Sequence, residues 1–180
     1  MNNLVILSFV YAFSELLLVI NKRSADGAVK TRKDRGSLIF LWIMITAGFT
    51  CGFYLSRPFN PLWSTPGIFL IIVGIVVRWA AIIQLGKSFT VDVAITDSAK
   101  LKTDGIYERV RHPSYSGLLL VVAGFSFAMS SVYSFAALVL PVLIAVIYRI
   151  GIEEKVLQNE FGDTFLQYKS HTRKLIPGIY

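Results

Sequence analysis

The chain has 180 residues, of which 54% are hydrophobic, a mean hydropathy of +0.61 and a formal charge of +7. So apolar a composition excludes a soluble domain of this size and reads as a small integral membrane protein. The lysine and arginine excess flanks apolar runs, so it is read as membrane topology and not as a nucleic-acid surface.

Five windows approach the roughly 17 to 25 apolar residues that a helical crossing needs: 3–20, 38–56, 66–86, 114–130 and 132–149. They predict an all-α membrane protein of about five transmembrane helices. The first window has no basic segment before it and no small-residue cleavage site after it, so it is expected to be a span and not a signal peptide. Its one acid, Glu15, lies near its C-terminal end, where it can snorkel or pair with a loop cation.

Residues 21–37 then carry Lys22, Arg23, Lys30, Arg32, Lys33 and Arg35, and residues 87–112 carry Lys87, Lys100, Lys102, Arg109 and Arg111, whereas the 57–65 connection has only Arg57. Positive-inside topology therefore predicts that both basic loops and the C-terminal tail face the cytoplasm, with the N-terminus outside. The single cysteine, Cys51, falls in the second window and leaves no intramolecular disulfide or cysteine metal site. With His112 and His171 as the two histidines, no transition metal is expected. Pro58 and Pro61 end the second helix. Residues 1–65 thus read as a two-span scaffold, and residues 66–180 as the part that carries chemistry.

The third window contains Arg78, eight residues before Gly86, or about 12 Å below the cytoplasmic end of a helix. A charge at that depth costs several kcal/mol unless it is paired or faces a polar cavity. Its available partners are Glu15, Glu153 and Glu154, and it is a candidate substrate-binding residue. After Lys87, Thr90, Val91, Val93, Ile95 and Thr96 mix with Asp92, Asp97 and Asp104, which predicts an ordered cytoplasmic loop.

In Arg109-Val110-Arg111-His112-Pro113 the proline suits the first turn of a helix, so His112 should stand at the N-terminus of the fourth span. The amide donors and positive dipole end there suit a carboxylate or phosphate, with Arg111 as a second anchor; the alternative is that Arg109, Arg111 and His112 form only an interfacial basic belt. A tight hairpin through Ser130, Ser131 and Tyr133 leads into the fifth span. Arg149 and Glu153 then stand at i and i+4, with Glu154 adjacent. Because this span runs back antiparallel to the fourth, its cytoplasmic end must lie near His112. Anion donors and carboxylates then meet at one depth, as a zwitterionic cofactor requires. Beyond them Ile152, Val156, Leu157, Phe161, Phe165, Leu166 and Tyr168 recur at helical spacing and predict an amphipathic extension.

Gly105-Ile106-Tyr107, Arg111-His112-Pro113-Ser114-Tyr115, Gly117, Arg149 with Glu153-Glu154, and Phe161-Gly162-Asp163-Thr164-Phe165-Leu166-Gln167-Tyr168 follow one another in an order that resembles the isoprenylcysteine carboxyl methyltransferase family and its phospholipid methyltransferase relatives. The resemblance covers roughly residues 85–180. It implies an S-adenosylmethionine-dependent enzyme of the membrane, acting on a lipophilic methyl acceptor. Carried over, the cofactor residues are Leu101, Tyr107, His112, Pro113, Ser114, Tyr115 and Glu153, and Arg149 orients the acceptor. One departure is Ala99-Lys100-Leu101-Lys102, where the family commonly has His-x-Leu-Val. An ionised carboxylate acceptor needs no general base; an amine acceptor, as in a phospholipid headgroup, makes Glu154 the base candidate. Membrane sterol and steroid reductases that use NADPH are similar in Gly-x-Tyr, Arg-His-Pro and the closing Leu175-Ile176-Pro177-Gly178-Ile179-Tyr180. They carry Arg-Asp-Glu and Lys-Tyr-Gly after the last span, where this chain has Glu153-Glu154 and Phe161-Gly162-Asp163, which favours the methyltransferase. A non-enzymatic membrane scaffold is the third alternative.

Overall fold

The computed structural model describes residues 2–21, 29–34, 36–58, 60–86, 93–96 and 101–180. Five helices dominate: α1 (Asn2–Asn21), α2 (Gly36–Tyr54), α3 (Pro61–Leu85), α4 (Pro113–Ala128) and α5 (Val132–His171). Each predicted apolar window lies on one of them. Among the described residues, α2, Leu62–Leu85 of α3 and α5 are long and apolar enough to cross a membrane, while Ile6–Leu18 of α1 and all of α4 are shorter apolar helices. The chain is an integral, multi-pass membrane protein.

Local chemistry sets the helix ends. Pro61 starts α3, because its missing N–H falls where the helix needs none, and the Asn60 side chain accepts from the Leu62 amide at 3.0 Å; α2 itself stops at Tyr54, ahead of both Pro58 and Pro61. α3 therefore begins five residues before the predicted window. Ser131 caps α5, its hydroxyl accepting from the Ser134 amide at 3.3 Å, so α4 and α5 form the expected tight hairpin. The α5 helix continues well beyond its apolar part and kinks at Gly162, where φ is 51°, a left-handed conformation that a residue without Cβ adopts at little cost.

α3 and α4 form the tightest pair in the bundle, and the cause is a set of facing glycines. A Cβ on Gly117 would lie 2.6 Å from the Arg78 amide nitrogen and 2.7 Å from the Gly74 carbonyl oxygen. Gly124 approaches the Gly67 carbonyl in the same way, at 2.6 Å. Close backbone approach of this kind drives association where lipid offers no hydrophobic gain. α2 packs on α5 through Gly48 and Gly52, and the core between the pairs is Leu41, Ile71, Val121, Val122, Leu138, Val142 and Val146. Gly117→Ala is expected to force α3 and α4 apart and to cost about 1–3 kcal/mol, the usual range for overpacking. A clear drop in the detergent melting temperature checks this; an unchanged value contradicts it.

A short antiparallel ribbon accompanies the helices. β1 (Val29–Asp34) pairs with β2 (Val93–Thr96), from Val29 opposite Thr96 to Asp34 opposite Val93. The ribbon joins the α1–α2 connection to the α3–α4 connection, so both basic loops meet at one end of the bundle. Val93, Ile95 and Thr96 of the predicted ordered loop lie in β2, whereas Thr90, Val91, Asp92 and Asp97 lie outside the described residues, as do Lys22, Arg23, Arg35, Lys87 and Lys100.

Candidate active site

The first turn of α4 is the hub of a polar network at the end of the bundle where the two connections meet. His112, Ser114, Tyr115 and Ser116 each reach a different neighbour. Pro113 at the first helical position and His112 just before it start the helix as expected.

Ser114 faces α3. Its hydroxyl and carbonyl oxygens each accept from Arg78 Nη1 at 3.1 Å. The remaining described partner of Arg78 is Glu15 of α1, bound through Nε and through Nη2 at 2.7 Å. Both side chains are about nine-tenths buried. Of the three carboxylates the sequence offered, Glu15 is thus the one that pairs, and the two-pronged geometry offsets much of the cost of a guanidinium within the apolar layer. Arg78 is thereby committed to α1 and α4, which places an acceptor-binding role for it in competition with an existing ion pair.

Tyr115 faces α5 and lies between the two charges expected to share a face there. Arg149 Nε donates to its hydroxyl oxygen at 2.8 Å, and that hydroxyl donates to Glu153 Oε2 at 3.0 Å. Arg149 is 3% exposed and also donates from Nη1 to the Ser37 hydroxyl at 2.8 Å. Glu153 keeps 32% of its side chain exposed, with its other oxygen 3.8 Å from His112 Nδ1. This half-open carboxylate beside a histidine and a tyrosine is the part of the network that faces outward.

Glu154, the next residue, points elsewhere. Arg111 Nε donates to its Oε1 at 3.0 Å, His112 Nε2 lies 3.4 Å from the same oxygen, and Lys169 Nζ is 3.2 Å from Oε2. Burial alone would raise this carboxyl, but hydrogen bonds from His112 and Arg111 outweigh it and hold the group at about 2. A carboxylate held so strongly is a poor proton acceptor at neutral pH, which weighs against the role of base. Arg111 is not an open anion anchor either. Its guanidinium also donates to the carbonyls of Lys169 and Thr172 and to the Thr172 hydroxyl. The chain end runs beside it: Val110 bridges Arg173, the Arg111 amide donates to the Arg173 carbonyl at 2.7 Å, and the His112 amide donates to the Lys174 carbonyl at 3.0 Å. Ser116 completes the clasp, donating to the Leu175 carbonyl at 2.6 Å. The end of the chain thus occupies backbone positions expected to bind an anion.

Because the Glu154 carboxyl is held below its usual 4.5, its contribution is complete above that value and is lost as pH falls toward 2. Hydrogen-exchange protection of the Arg111, His112 and Arg173 amides is expected to be constant from neutral pH to about 5 and to fall below about 4. Glu154→Gln is expected to lose that protection already at neutral pH, since halving a buried pair costs about 3 kcal/mol or more. Equal protection in variant and parent would contradict the assignment.

Tyr107 and Leu101 lie on the loop before α4. Tyr107, in a short 3-10 helix over Gly105–Glu108, is buried; its hydroxyl donates to the Ala81 carbonyl at 3.1 Å, and the Tyr107 carbonyl accepts from the Tyr168 hydroxyl at 2.7 Å. Leu101 is half-buried at the start of the described loop. The structure therefore gathers His112, Ser114, Tyr115, Arg149, Glu153 and Glu154 into one connected cluster, with Arg78 attached through Ser114 and Tyr107 at its margin. Ser37 and Glu15 join it from the helices read as scaffold. Glu15 was marked by its charge; Ser37 had no signal beyond its place at a helix start. Among the described residues, no group of three or more histidine, cysteine or acidic side chains is placed to hold a metal.

Helices gathered around glycine contacts, with a buried polar network at one end of the bundle, define a polytopic membrane protein. The phospholipid methyltransferase family matches residues 63–164, more than half of the chain, and the chain belongs to that family. Within it, the likeness runs to isoprenylcysteine methyltransferases. Protein-S-isoprenylcysteine O-methyltransferase B of Arabidopsis thaliana is 34% identical over 118 residues, 64% of this chain and 60% of the relative. The Schizosaccharomyces pombe protein-S-isoprenylcysteine O-methyltransferase is 32% identical over 66% of this chain and 51% of its own length, and that of Dictyostelium discoideum 30% over 71% and 54%. The chain thus spans about half to three-fifths of the length of these three relatives. The solved structure of the eukaryotic intramembrane Ras methyltransferase, an isoprenylcysteine carboxyl methyltransferase, superimposes with a TM-score of 0.63 at 25% identity, over 82% of this chain and 55% of that one.

Proposed function

We propose that this chain is an S-adenosylmethionine-dependent methyltransferase of the membrane, acting on the carboxylate of an isoprenylcysteine-like acceptor. The observation that carries the reading is the Arg149–Tyr115–Glu153 relay, in which one tyrosine hydroxyl joins a buried cation to a half-open carboxylate at the membrane boundary.

The residues fit the cofactor. Glu153, whose side chain is about one-third exposed, suits a cationic ammonium or a pair of hydroxyls, and His112 and Tyr115 flank it with their rings 5.9 Å apart. Tyr107, Pro113, Ser114 and Leu101 are proposed as further cofactor residues on the family resemblance; the Tyr107 hydroxyl is engaged by Ala81 and Ser114 by Arg78. When bound, S-adenosylmethionine supplies a methyl group on a positively charged sulfur, whose transfer to a carboxylate oxygen forms one O–C bond, breaks one S–C bond and needs no proton acceptor.

Arg149 binds and orients the acceptor carboxylate, and its own orientation is fixed by Tyr115 and Ser37. The apolar surroundings strip water from that carboxylate, and holding both reactants in line supplies much of the rate. Glu154 serves as the internal anion that seats Arg111 and the end of the chain. Arg78 with Glu15 holds α1 and α3 to the first turn of α4. A carboxylate acceptor is favoured over an amine because the similar proteins are isoprenylcysteine O-methyltransferases and because Glu154, the base candidate for an amine, is already engaged by Arg111, His112 and Lys169.

The proposed topology places both basic loops and the site in the cytoplasm, with five crossings and the N-terminus outside. A cysteine put in place of Ser98, which lies outside the described residues, in a Cys51→Ser background is expected to resist an impermeant reagent added from the exterior; ready labelling would reverse the orientation. The chemistry itself is tested with S-adenosylmethionine labelled in its methyl group, offered N-acetyl-S-farnesylcysteine or phosphatidylethanolamine vesicles. Base-labile label on the prenylcysteine supports the reading. Label on the lipid amine alone would replace it with a phospholipid N-methyltransferase, and oxidation of NADPH with a sterol substrate would replace it with a reductase.

A further inference from the structure

We propose that the first turn of α2 belongs to the acceptor site: Ser37 positions the Arg149 guanidinium, and Asp34 holds Ser37 in place. The inference rests on the role proposed for Arg149. It concerns residues that precede the segment matched to the family, which begins at residue 63.

Ser37 is 1% exposed, and its hydroxyl oxygen accepts from Arg149 Nη1 at 2.8 Å, across 112 positions of the chain. A serine at the second position of an apolar helix ordinarily turns its hydroxyl back to the helix end. Here that duty falls to Asp34, whose carboxylate accepts from the Gly36 amide at 2.7 Å and from the Ser37 amide at 3.0 and 3.1 Å. With the amides satisfied, the Ser37 hydroxyl is available to the arginine. Asp34 in turn is fixed by the ribbon, in which it pairs with Val93. Against the effect of burial, the hydrogen bonds from Ser37 and Gly36 and the nearby Arg149 charge hold the Asp34 carboxyl below its usual range.

An arginine side chain has enough rotatable bonds to reach a carboxylate in many poses, and methyl transfer tolerates few of them. Two hydroxyl oxygens fix the plane of Arg149: Tyr115 at Nε and Ser37 at Nη1. They come from different helices, α4 and α2, so the guanidinium is held between the two halves of the bundle. Ser37 is a positioning residue, since it acts on the acceptor through Arg149.

The test uses the full chain in detergent with Ser37→Ala and Ser37→Thr. Ser37→Ala is expected to lower kcat/KM for the prenylcysteine acceptor about ten-fold, the scale of one hydrogen bond to a charged group, with S-adenosylhomocysteine affinity unchanged. Ser37→Thr, which keeps the hydroxyl, is expected to recover most of that loss. In an Arg149→Lys background Ser37→Ala is expected to add nothing. A second readout does not depend on turnover: the Arg149 Nε–H resonance of 15N-labelled protein should shift in Ser37→Ala and stay near its position in Ser37→Thr. Parental acceptor kinetics in Ser37→Ala, a full ten-fold further loss in the Arg149→Lys background, or an unmoved Arg149 resonance would each overturn the proposal. If the parent protein transfers no methyl group to the acceptor while the resonance still shifts, the positioning contact stands and the carboxyl methyltransferase reading falls.

Discussion

Arg149→Ala is expected to lower methyl transfer by about 10²–10³-fold, the scale seen when one preorganised donor to a reacting oxygen is removed, while leaving S-adenosylhomocysteine binding within about two-fold of the parent. The split follows from the geometry. Arg149 donates to Tyr115 and Ser37, so its loss removes one partner of the Tyr115 hydroxyl but leaves that hydroxyl on Glu153, and His112, in place. Arg149→Lys is expected to recover little. A lysine is a single charged point and cannot satisfy two fixed oxygens while presenting a planar fork to a carboxylate. Transfer at parental rate in Arg149→Ala would remove the arginine from the acceptor site, and loss of cofactor binding would assign it to the other side of the relay.

The second large effect is on binding. Glu153→Ala is expected to weaken S-adenosylhomocysteine by about ten-fold or more, since it removes a charged hydrogen-bond acceptor worth about 1.5–3 kcal/mol. His112→Ala is expected to act in the same direction, because His112 lies against both glutamates. The two variants differ in stability. His112 contacts Glu154, the anchor of the chain end, so its loss also lowers the melting temperature, whereas Glu153→Ala leaves it nearly unchanged. Unaltered affinity in both variants would remove the cofactor from this cluster.

Much of the architecture was legible because the bilayer imposes a length rule that soluble folds lack. Each apolar window became a helix, and the hairpin at Ser130 and Ser131 was marked by its small polar residues. The need of Arg78 for a carboxylate was legible too. Which carboxylate was not, since Glu15 lies 63 positions away and its approach depends on how α1 rotates about its own axis.

The site was legible in membership but less so in roles. Adjacent helical residues point about 100° apart, so Glu153 and Glu154 face different neighbours: one Tyr115, the other Arg111 and Lys169. Spacing alone does not say which is which. Arg111 read as a second anion anchor because it stands beside the amide donors and positive dipole end of α4, whereas the docking of residues 172–175 against it is a long-range event with no local signature. Ser37 was invisible for a related reason. A serine just inside a helix reads as ordinary end chemistry, and its function comes from an arginine on the last helix.

Isothermal calorimetry of S-adenosylhomocysteine against the detergent-purified protein, with NADPH in the matched titration, decides whether the Glu153–His112 cluster holds S-adenosylmethionine. Micromolar binding of S-adenosylhomocysteine is expected, with no binding of NADPH and loss of the signal in Glu153→Ala. Binding of NADPH alone, or S-adenosylhomocysteine affinity that survives both Glu153→Ala and His112→Ala, would contradict it.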